Sequence, residues 1–416
     1  MKTPPPLSNE IFGLIIETLG EDIPSLRSCS LVSCVFRHFC SPTLYRNIDL
    51  DCREKLETCF QLGELSDSLT HTRSLSLTSG FVSPRHLQIL DIISQKAPLE
   101  TLRLYDIRFH AEPFTVSSLS KPYAVTVLSL KRCRFGGFED FVSFVRCFPG
   151  CKALRLDSCT WEGRHFQDLK LGCLPTHSLA PVHLEIIVPL KHWSPKENCD
   201  QGRIVGMSWL DLTGLRSFKY MIENEISSER VVGRIATCEH LEEVDMSISY
   251  FVDCRFGKRK LCCSISCSYP DQAVGPAGPQ LAQLIGRIKL LTLRCTSGLI
   301  PWYSFYNVFP PSLALERIRI LTIGQPNFVG HCRVFDNTLS DTERYPSLVR
   351  VEVYSFDSRK TGREARDTFE RLCMDEYLPR LKALGRLHGS SMRSVESAAP
   401  VDPFGSLGDA YYKDWM

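Results

Sequence analysis

Cysteine is the residue type in this sequence with the widest chemical scope, because thiolates bind metals and act as nucleophiles. The chain has 19 cysteines, and the densest group, CCSISC, contains Cys262, Cys263 and Cys267. A structural zinc site needs about four ligands, usually in two closely spaced pairs. No second pair accompanies this group, and no C-x-x-C occurs. We therefore expect free thiols, no bound metal and no cofactor.

The short motifs that identify common enzyme sites are missing as well. The sequence contains no G-x-x-x-x-G-K-[ST], H-E-x-x-H or G-x-S-x-G, and no kinase catalytic-loop signature. Its 11 histidines show no ligand spacing. We predict that the protein is not an enzyme, and a catalytic site of unrecognised type is the weakest alternative.

The composition is that of a folded protein with almost no net charge. Of the 416 residues, 43% are hydrophobic and 23% are charged, and the formal net charge is +2. This balance provides no long-range attraction to nucleic acid or to an anionic membrane, and we expect neither as a partner. No apolar run approaches the ~20 residues of a spanning helix. The opening MKTPPPLSNE lacks the apolar stretch of a secretory signal, so we expect a reducing compartment, the cytoplasm or nucleus.

The elements that would position binding residues begin with pairs of leucines two positions apart. They occur in TRSLSLTSG, LETLRLYDI, VTVLSLKRC and CKALRLDSC, and the first leucines of the pairs are Leu75, Leu102, Leu128 and Leu154. The steps of 27, 26 and 26 residues fall in the range of leucine-rich repeats. Leucines at alternate positions point to one side of a short strand. Cys133 and Cys159 follow two of these strands, and we expect them to turn inward at the corner.

Weaker strand patterns continue this series toward the C-terminus. Their central residues are Leu184, Phe218, Val244, Leu291, Leu321 and Val351. Helical segments at 138–148 and 229–238 alternate with them, which predicts a parallel sheet. Insertions at 191–209 and 252–280 interrupt the pattern, and the second carries the basic run RFGKRK, either a nuclear-import signal or a solvated loop.

Two helical patterns precede the repeats. The segment 7–19, LSNEIFGLIIETL, predicts a helix with Ser8 as its N-cap. The segment 25–39, SLRSCSLVSCVFRHF, predicts a second helix with more apolar residues than one face requires. The predicted fold class is therefore α/β. A helical module (1–48) precedes an irregular solenoid of parallel strands alternating with helices (49–388), and a disordered tail (389–416) follows.

The helical module resembles the F-box found in fungal proteins. The resemblance rests on LSNE at 7–10, the apolar helix that follows, and LVSCVFR at 31–37. In that family the apolar helices dock onto the Skp adaptor of a cullin–RING ubiquitin ligase. The adaptor-binding positions that the resemblance implies are Leu7, Ile11, Ile15, Leu19, Leu26, Leu31, Val32 and Phe36.

An F-box followed by leucine-rich repeats is a known arrangement. It implies a substrate-recognition subunit of an SCF-type ligase, which acts in ubiquitin-dependent degradation and holds an unidentified protein target on its repeats. The alternative is a leucine-rich-repeat binding scaffold outside a ubiquitin ligase, in which the helical module only caps the end of the solenoid.

The side chains between the paired leucines project from the opposite face of each strand. The candidates for target binding on this face are Arg103, Tyr105, Lys131 and Arg155. They form either a mildly basic strip suited to an acidic or phosphorylated segment, or an ordinary solvated strand face. The sequence leaves both interpretations open.

Overall fold

The computed structural model of the chain consists of N-terminal helices followed by the parallel strands of an α/β solenoid, as predicted. It describes residues 8–52, 54–55, 57–59, 67–78, 84–109, 123–161, 179–187, 209–222, 234–248, 286–295, 311–323, 336–356 and 378–389. The chain divides into two compact units: Met1–Lys152 with Ser158–Cys173, and Ala153–Asp157 with Leu174–Met416. The predicted boundary at residue 48 lies within the first unit.

The described elements of the first unit are three helices, a first strand, and then further strands with a 3-10 helix and two more α-helices. In chain order they are α1 (Asn9–Leu19), α2 (Ile23–Val32), α3 (Cys34–Leu44), β1 (Asn47–Leu50), a 3-10 helix (Asp67–His71), β2 (Ser74–Thr78), α4 (Pro84–Lys96), β3 (Thr101–Tyr105), β4 (Val127–Lys131), β5 (Arg134–Phe135) and α5 (Phe138–Arg146). After β6 (Ala153–Asp157), which belongs to the second unit, the chain returns for β7 (Thr160–Trp161).

The second unit consists mainly of strands in its described residues. They are β6, β8 (His183–Ile187), β9 (Ser217–Ile222), β10 (Glu243–Ile248), β11 (Leu290–Cys295), β12 (Arg317–Ile323), β13 (Arg350–Phe356), the short helix α6 (Pro379–Ala383) and β14 (Leu387–Gly389). Half of the predicted helix at 229–238, most of the two insertions and the tail after Gly389 lie outside the described residues.

The single helix predicted over 25–39 is two helices. Ser33 adopts an extended conformation between α2 and α3 and ends the first of them. Its hydroxyl then accepts a hydrogen bond from the backbone N–H of Phe36 at 3.2 Å and caps α3. Ser8 occupies the N-cap position of α1, but its side chain makes no capping hydrogen bond.

The paired leucines of the first unit form its core. Strands β1, β2, β3 and β4 are parallel and pair in sequence order, with Leu75 opposite Leu102 and Leu102 opposite Leu128. Each of these leucines is fully buried. The strand positions predicted from the steps of 26 and 27 residues are therefore confirmed.

The corner after each strand repeats as closely as the strands do. A residue with positive φ follows β3, β4 and β6, at Asp106, Arg132 and Ser158. The next side chain turns inward, as predicted for Cys133 and Cys159, and both thiols are buried. The Cys133 Sγ lies 3.4 Å from the carbonyl oxygen of Leu104, and the Cys159 Sγ lies 3.4 Å from that of Leu130. Each thiol therefore donates to a carbonyl of the preceding repeat.

A second inward column, which the leucine pattern did not predict, is aromatic. Phe109, Phe135 and Trp161 follow one another at steps of 26 residues. The rings of Phe109 and Phe135 stack with centroids 4.4 Å apart. Phe141 of α5 meets Phe135 edge-on at 5.3 Å, so this column holds the helix against the strands.

The second unit keeps one register through all its strands, which are parallel and pair in the order β6-β8-β9-β10-β11-β12-β13-β14. Val244 pairs with Leu291 across a step of 47 residues, so the register continues past the second insertion. In β12 the buried residue opposite Leu291 is Ile318, whereas Leu321 lies opposite Arg294. The prediction of a strand around Leu321 is confirmed. The buried position of this strand that aligns with Leu291 is Ile318.

Replacing Phe135 with alanine is expected to lower the free energy of unfolding by about 3–5 kcal/mol, because the ring is fully buried between Phe109 and α5. Urea denaturation followed by circular dichroism measures this change. The control is Val349→Ala, whose side chain is exposed and whose replacement should change stability by less than about 0.5 kcal/mol. Equal stability of the two variants would contradict the role of the aromatic column.

Candidate functional site

The helical module has a small core of its own. Ile16 of α1, Leu26 of α2 and Cys40 of α3 are buried together. Leu19 and Phe36 are partly buried against this core, and Phe36 meets the ring of Phe12 edge-on at 4.7 Å. Three of the predicted adaptor-binding residues therefore contribute to the fold of the module.

Leu26 is the clearest of these three, because it has no solvent exposure. We therefore assign it to the core of the module and not to a binding surface. The apolar pattern of 25–39 did not reveal the burial of Leu26. It treats the segment as one helix, whereas the end of α2 at Ser33 lets α3 fold back and pack against Leu26.

Other apolar side chains of the module stay exposed to solvent. We call them the α1–α2 apolar set, and they are Ile11 (41% exposed), Leu14 (60%), Ile15 (38%), Leu31 (80%) and Val32 (72%). The first three are spaced by three and four residues and share one side of α1, and the last two end α2. Four of the five were predicted adaptor-binding residues, and Leu7 lies outside the described residues.

Leu14 was missed because the sequence pattern followed steps of four from Ile11 to Ile15 and Leu19. A step of three from Ile11 reaches the same side of the helix and would have identified it. Burial of one such side chain contributes about 1.5–3 kcal/mol. The α1–α2 apolar set therefore has enough hydrophobic surface to support a protein–protein contact.

The strand face of the first unit carries three of the predicted target-binding residues. Arg103 and Tyr105 lie on β3, and Lys131 on β4 is paired directly with Tyr105. All three side chains are half-buried. The Arg103 Nη1 donates to the hydroxyl of Ser74 at 3.0 Å, so this guanidinium is held against the neighbouring strand β2.

Arg155 differs from the other three, because it is only 3% exposed. It lies on β6, and its Nε is 3.6 Å from the carboxylate of Glu185 on β8. Lys219 on β9 forms an ion pair with the same carboxylate. The expectation of a solvated cation at this position is wrong. The Arg155 guanidinium is buried and interacts with Glu185 on the neighbouring strand.

Burial weakens several thiols as nucleophiles. It raises the pKa of Cys59, Cys147 and Cys238 to about 11. Because the thiolate is the reactive form, these cysteines are almost entirely protonated and unreactive near neutral pH. Cys34 and Cys52, by contrast, are exposed.

No group of three or more His, Cys, Asp or Glu side chains is placed to hold a metal ion in the described part of the chain. Cys262, Cys263 and Cys267 lie outside it. None of the helices in the described ranges is long and apolar enough to cross a membrane.

No protein-family model matches the sequence, and no curated protein matches it.

Replacing Arg155 with alanine is expected to destabilise the protein by about 3 kcal/mol, because Glu185 would lose one of its two cationic partners inside the protein. Lys131→Ala, a change at a half-buried cation, should cost less than about 0.5 kcal/mol. Thermal unfolding of the two variants measures the difference. A harmless Arg155→Ala would return this residue to the list of binding candidates.

Among the cysteines in the described ranges, alkylation of the native protein with iodoacetamide is expected to label Cys34 and Cys52 first. Cys59 and Cys238 should react only after denaturation, since burial both blocks access and raises the pKa of each thiol. Cys147 is half-buried and should react slowly, because desolvation raises the pKa of its thiol. Peptide mapping by mass spectrometry after timed labelling gives the order. Rapid labelling of Cys147 or Cys238 in the folded protein would contradict the described packing.

Proposed function

We propose that this protein is a substrate-recognition subunit of an SCF-type ubiquitin ligase. The α1–α2 apolar set binds the Skp-type adaptor and, through it, the cullin–RING core. The exposed faces of the strands bind a target protein. In this function the chain performs no bond chemistry, and its contribution is the effective concentration and orientation of the target.

The observation that carries the proposal is the exposure of the α1–α2 apolar set in a module that already has a core. Leu31 and Val32 are 80% and 72% exposed, although Leu26 on the same helix is fully buried. Large apolar side chains that stay exposed on two successive helices of a small module are typical of a protein-interaction site. The resemblance of 7–10 and 31–37 to the F-box identifies the adaptor as the partner that would cover them.

The alternative function, a scaffold with a helical end cap, accounts for a different part of the module. Strand β1 follows α3 directly and pairs with β2. The carbonyl oxygen of Arg46 accepts hydrogen bonds from the N–H groups of Arg73 and Ser74 at 2.9 and 3.0 Å. These contacts cap the first repeat through α3 and β1, and they do not use the α1–α2 apolar set.

The double change Leu31→Glu with Val32→Glu is expected to weaken binding of a purified Skp-type adaptor by ~100-fold or more. Two charges would enter an interface that excludes water, at a cost of several kcal/mol. Both side chains are exposed, so the module should remain folded. Isothermal titration calorimetry measures adaptor affinity, and circular dichroism checks the helices.

A matched control makes the same change at exposed apolar residues of the second unit. Leu313 and Val349 are 74% and 66% exposed, and Leu313→Glu with Val349→Glu should leave adaptor binding unchanged. Wild-type affinity in the Leu31→Glu, Val32→Glu variant would show that the binding face is wrong. A wild-type chain without any affinity for the adaptor would favour the scaffold.

A further inference from the structure

On the last strands of the second unit, two arginines contact one buried carboxylate and a third arginine is paired with one of them in the sheet. Glu352 on β13 is 2% exposed. The Nε of Arg319 on β12 donates to its Oε2 at 2.7 Å, and the Nε of Arg350 lies 2.6 Å from its Oε1. Arg317 on β12 is paired directly with Arg350 in the sheet. We call Arg317, Arg319 and Arg350 the β12–β13 arginine cluster.

The β12–β13 arginine cluster contains two like charges that lie directly opposite each other in the sheet. Arg319 and Arg350 share the single Glu352 carboxylate, and Arg317 lies directly opposite Arg350 in the sheet. Like charges directly opposite one another in a sheet are destabilising. Arg317 forms no ion pair with any residue in the described ranges, so its place beside Arg350 adds repulsion without a compensating internal contact.

The group around Glu185 provides the comparison within the same unit. Arg155, Glu185 and Lys219 lie opposite one another on consecutive strands and alternate in sign. Arg155 and Glu185 are buried, so this group serves the fold. In the β12–β13 arginine cluster two cations are adjacent, and the Arg350 side chain is 40% exposed.

The neighbouring strand adds no further balancing charge. His388 on β14 is paired with Glu352. Burial, together with the guanidinium groups of Arg350 and Arg317, lowers the pKa of His388 against the opposing effect of Glu352. The imidazole is therefore mainly neutral at pH 7 and contributes no charge beside the arginines.

We propose that the β12–β13 arginine cluster binds the carboxylates of an acidic peptide segment in the captured protein. The planar guanidinium fork matches a carboxylate, and charge-assisted contacts are the stronger hydrogen bonds. Glu352 holds two of the guanidinium groups in place before a ligand arrives, which lowers the entropy lost on binding. The inference rests on the proposed function only in identifying this partner as the protein presented for ubiquitination.

The test uses the purified full-length chain and a fluorescein-labelled oligoglutamate peptide, with binding measured by fluorescence anisotropy. An oligoglutamine peptide of equal length is the uncharged control, and an oligothymidylate is the nucleic-acid control. We expect the oligoglutamate to bind most tightly and its affinity to fall as salt is added. Equal binding of the two peptides, or tighter binding of the oligothymidylate, would overturn the proposal.

Arg317→Glu is the decisive variant, because it removes the guanidinium that forms no ion pair within the described ranges and preserves Arg319 and Arg350, which contact Glu352. It should weaken oligoglutamate binding by at least about tenfold. The matched control is Arg46→Glu, the same charge reversal at an exposed arginine of the first unit. Arg46→Glu should bind the peptide as the wild type does.

Thermal unfolding of each variant checks the fold, and Arg317→Gln replaces Arg317→Glu if the reversal prevents folding. Unchanged peptide affinity in the folded variant would exclude the β12–β13 arginine cluster. Adaptor affinity is measured on the same preparations. If the wild-type chain binds the oligoglutamate but not the adaptor, the ligase function alone is overturned. If it binds the adaptor but not the oligoglutamate, only the acidic-peptide site is overturned.

Discussion

The tight corner after each strand is the constraint on which the first unit depends. The chain must turn within one residue of positive φ so that the next side chain points inward beneath the strands. Neither Arg132 nor Ser158 is glycine, and the left-handed conformation costs each of them roughly 1–2 kcal/mol. Hydrogen bonds from Cys133 and Cys159 to carbonyls of the preceding repeat offset part of this cost. Each repeat therefore stabilises the turn of its neighbour, and a repeat alone would lack the partner that its corner requires.

This geometry also decides which residues remain for binding. Once alternate positions are buried, the intervening side chains must either satisfy one another across the strands or remain available to a partner. The group formed by Arg155, Glu185 and Lys219 follows the first course, with opposite charges in register. Arg317, which is paired with Arg350, remains available to a partner, because like charges in register are an unfavourable arrangement for the fold alone.

The sequence predicted what is local and periodic. Paired leucines and the inward cysteines occur at fixed steps, so the strands of the first unit and their corners could be located before the structure was known. The break at Ser33 could not, because apolar residues continue at helical spacing on both sides of it. The burial of Leu26 and the exposure of Leu31 depend on where α3 lies, which is a tertiary property. Likewise, β12 contains several apolar residues, and only pairing with β11 shows that Ile318 is the buried one opposite Leu291.

The connection between the helical module and the strands has a mechanical consequence for the proposed function. Helix α3 leads through Arg46 into β1, and the Arg46 carbonyl is hydrogen-bonded to the start of β2. A flexible linker would let a bound partner sample many orientations, whereas hydrogen bonds directly after α3 restrict them. A partner held on α1 and α2 would therefore be presented at a defined angle to the strands of the first unit. Such fixed geometry suits a subunit whose contribution is to orient one protein toward another.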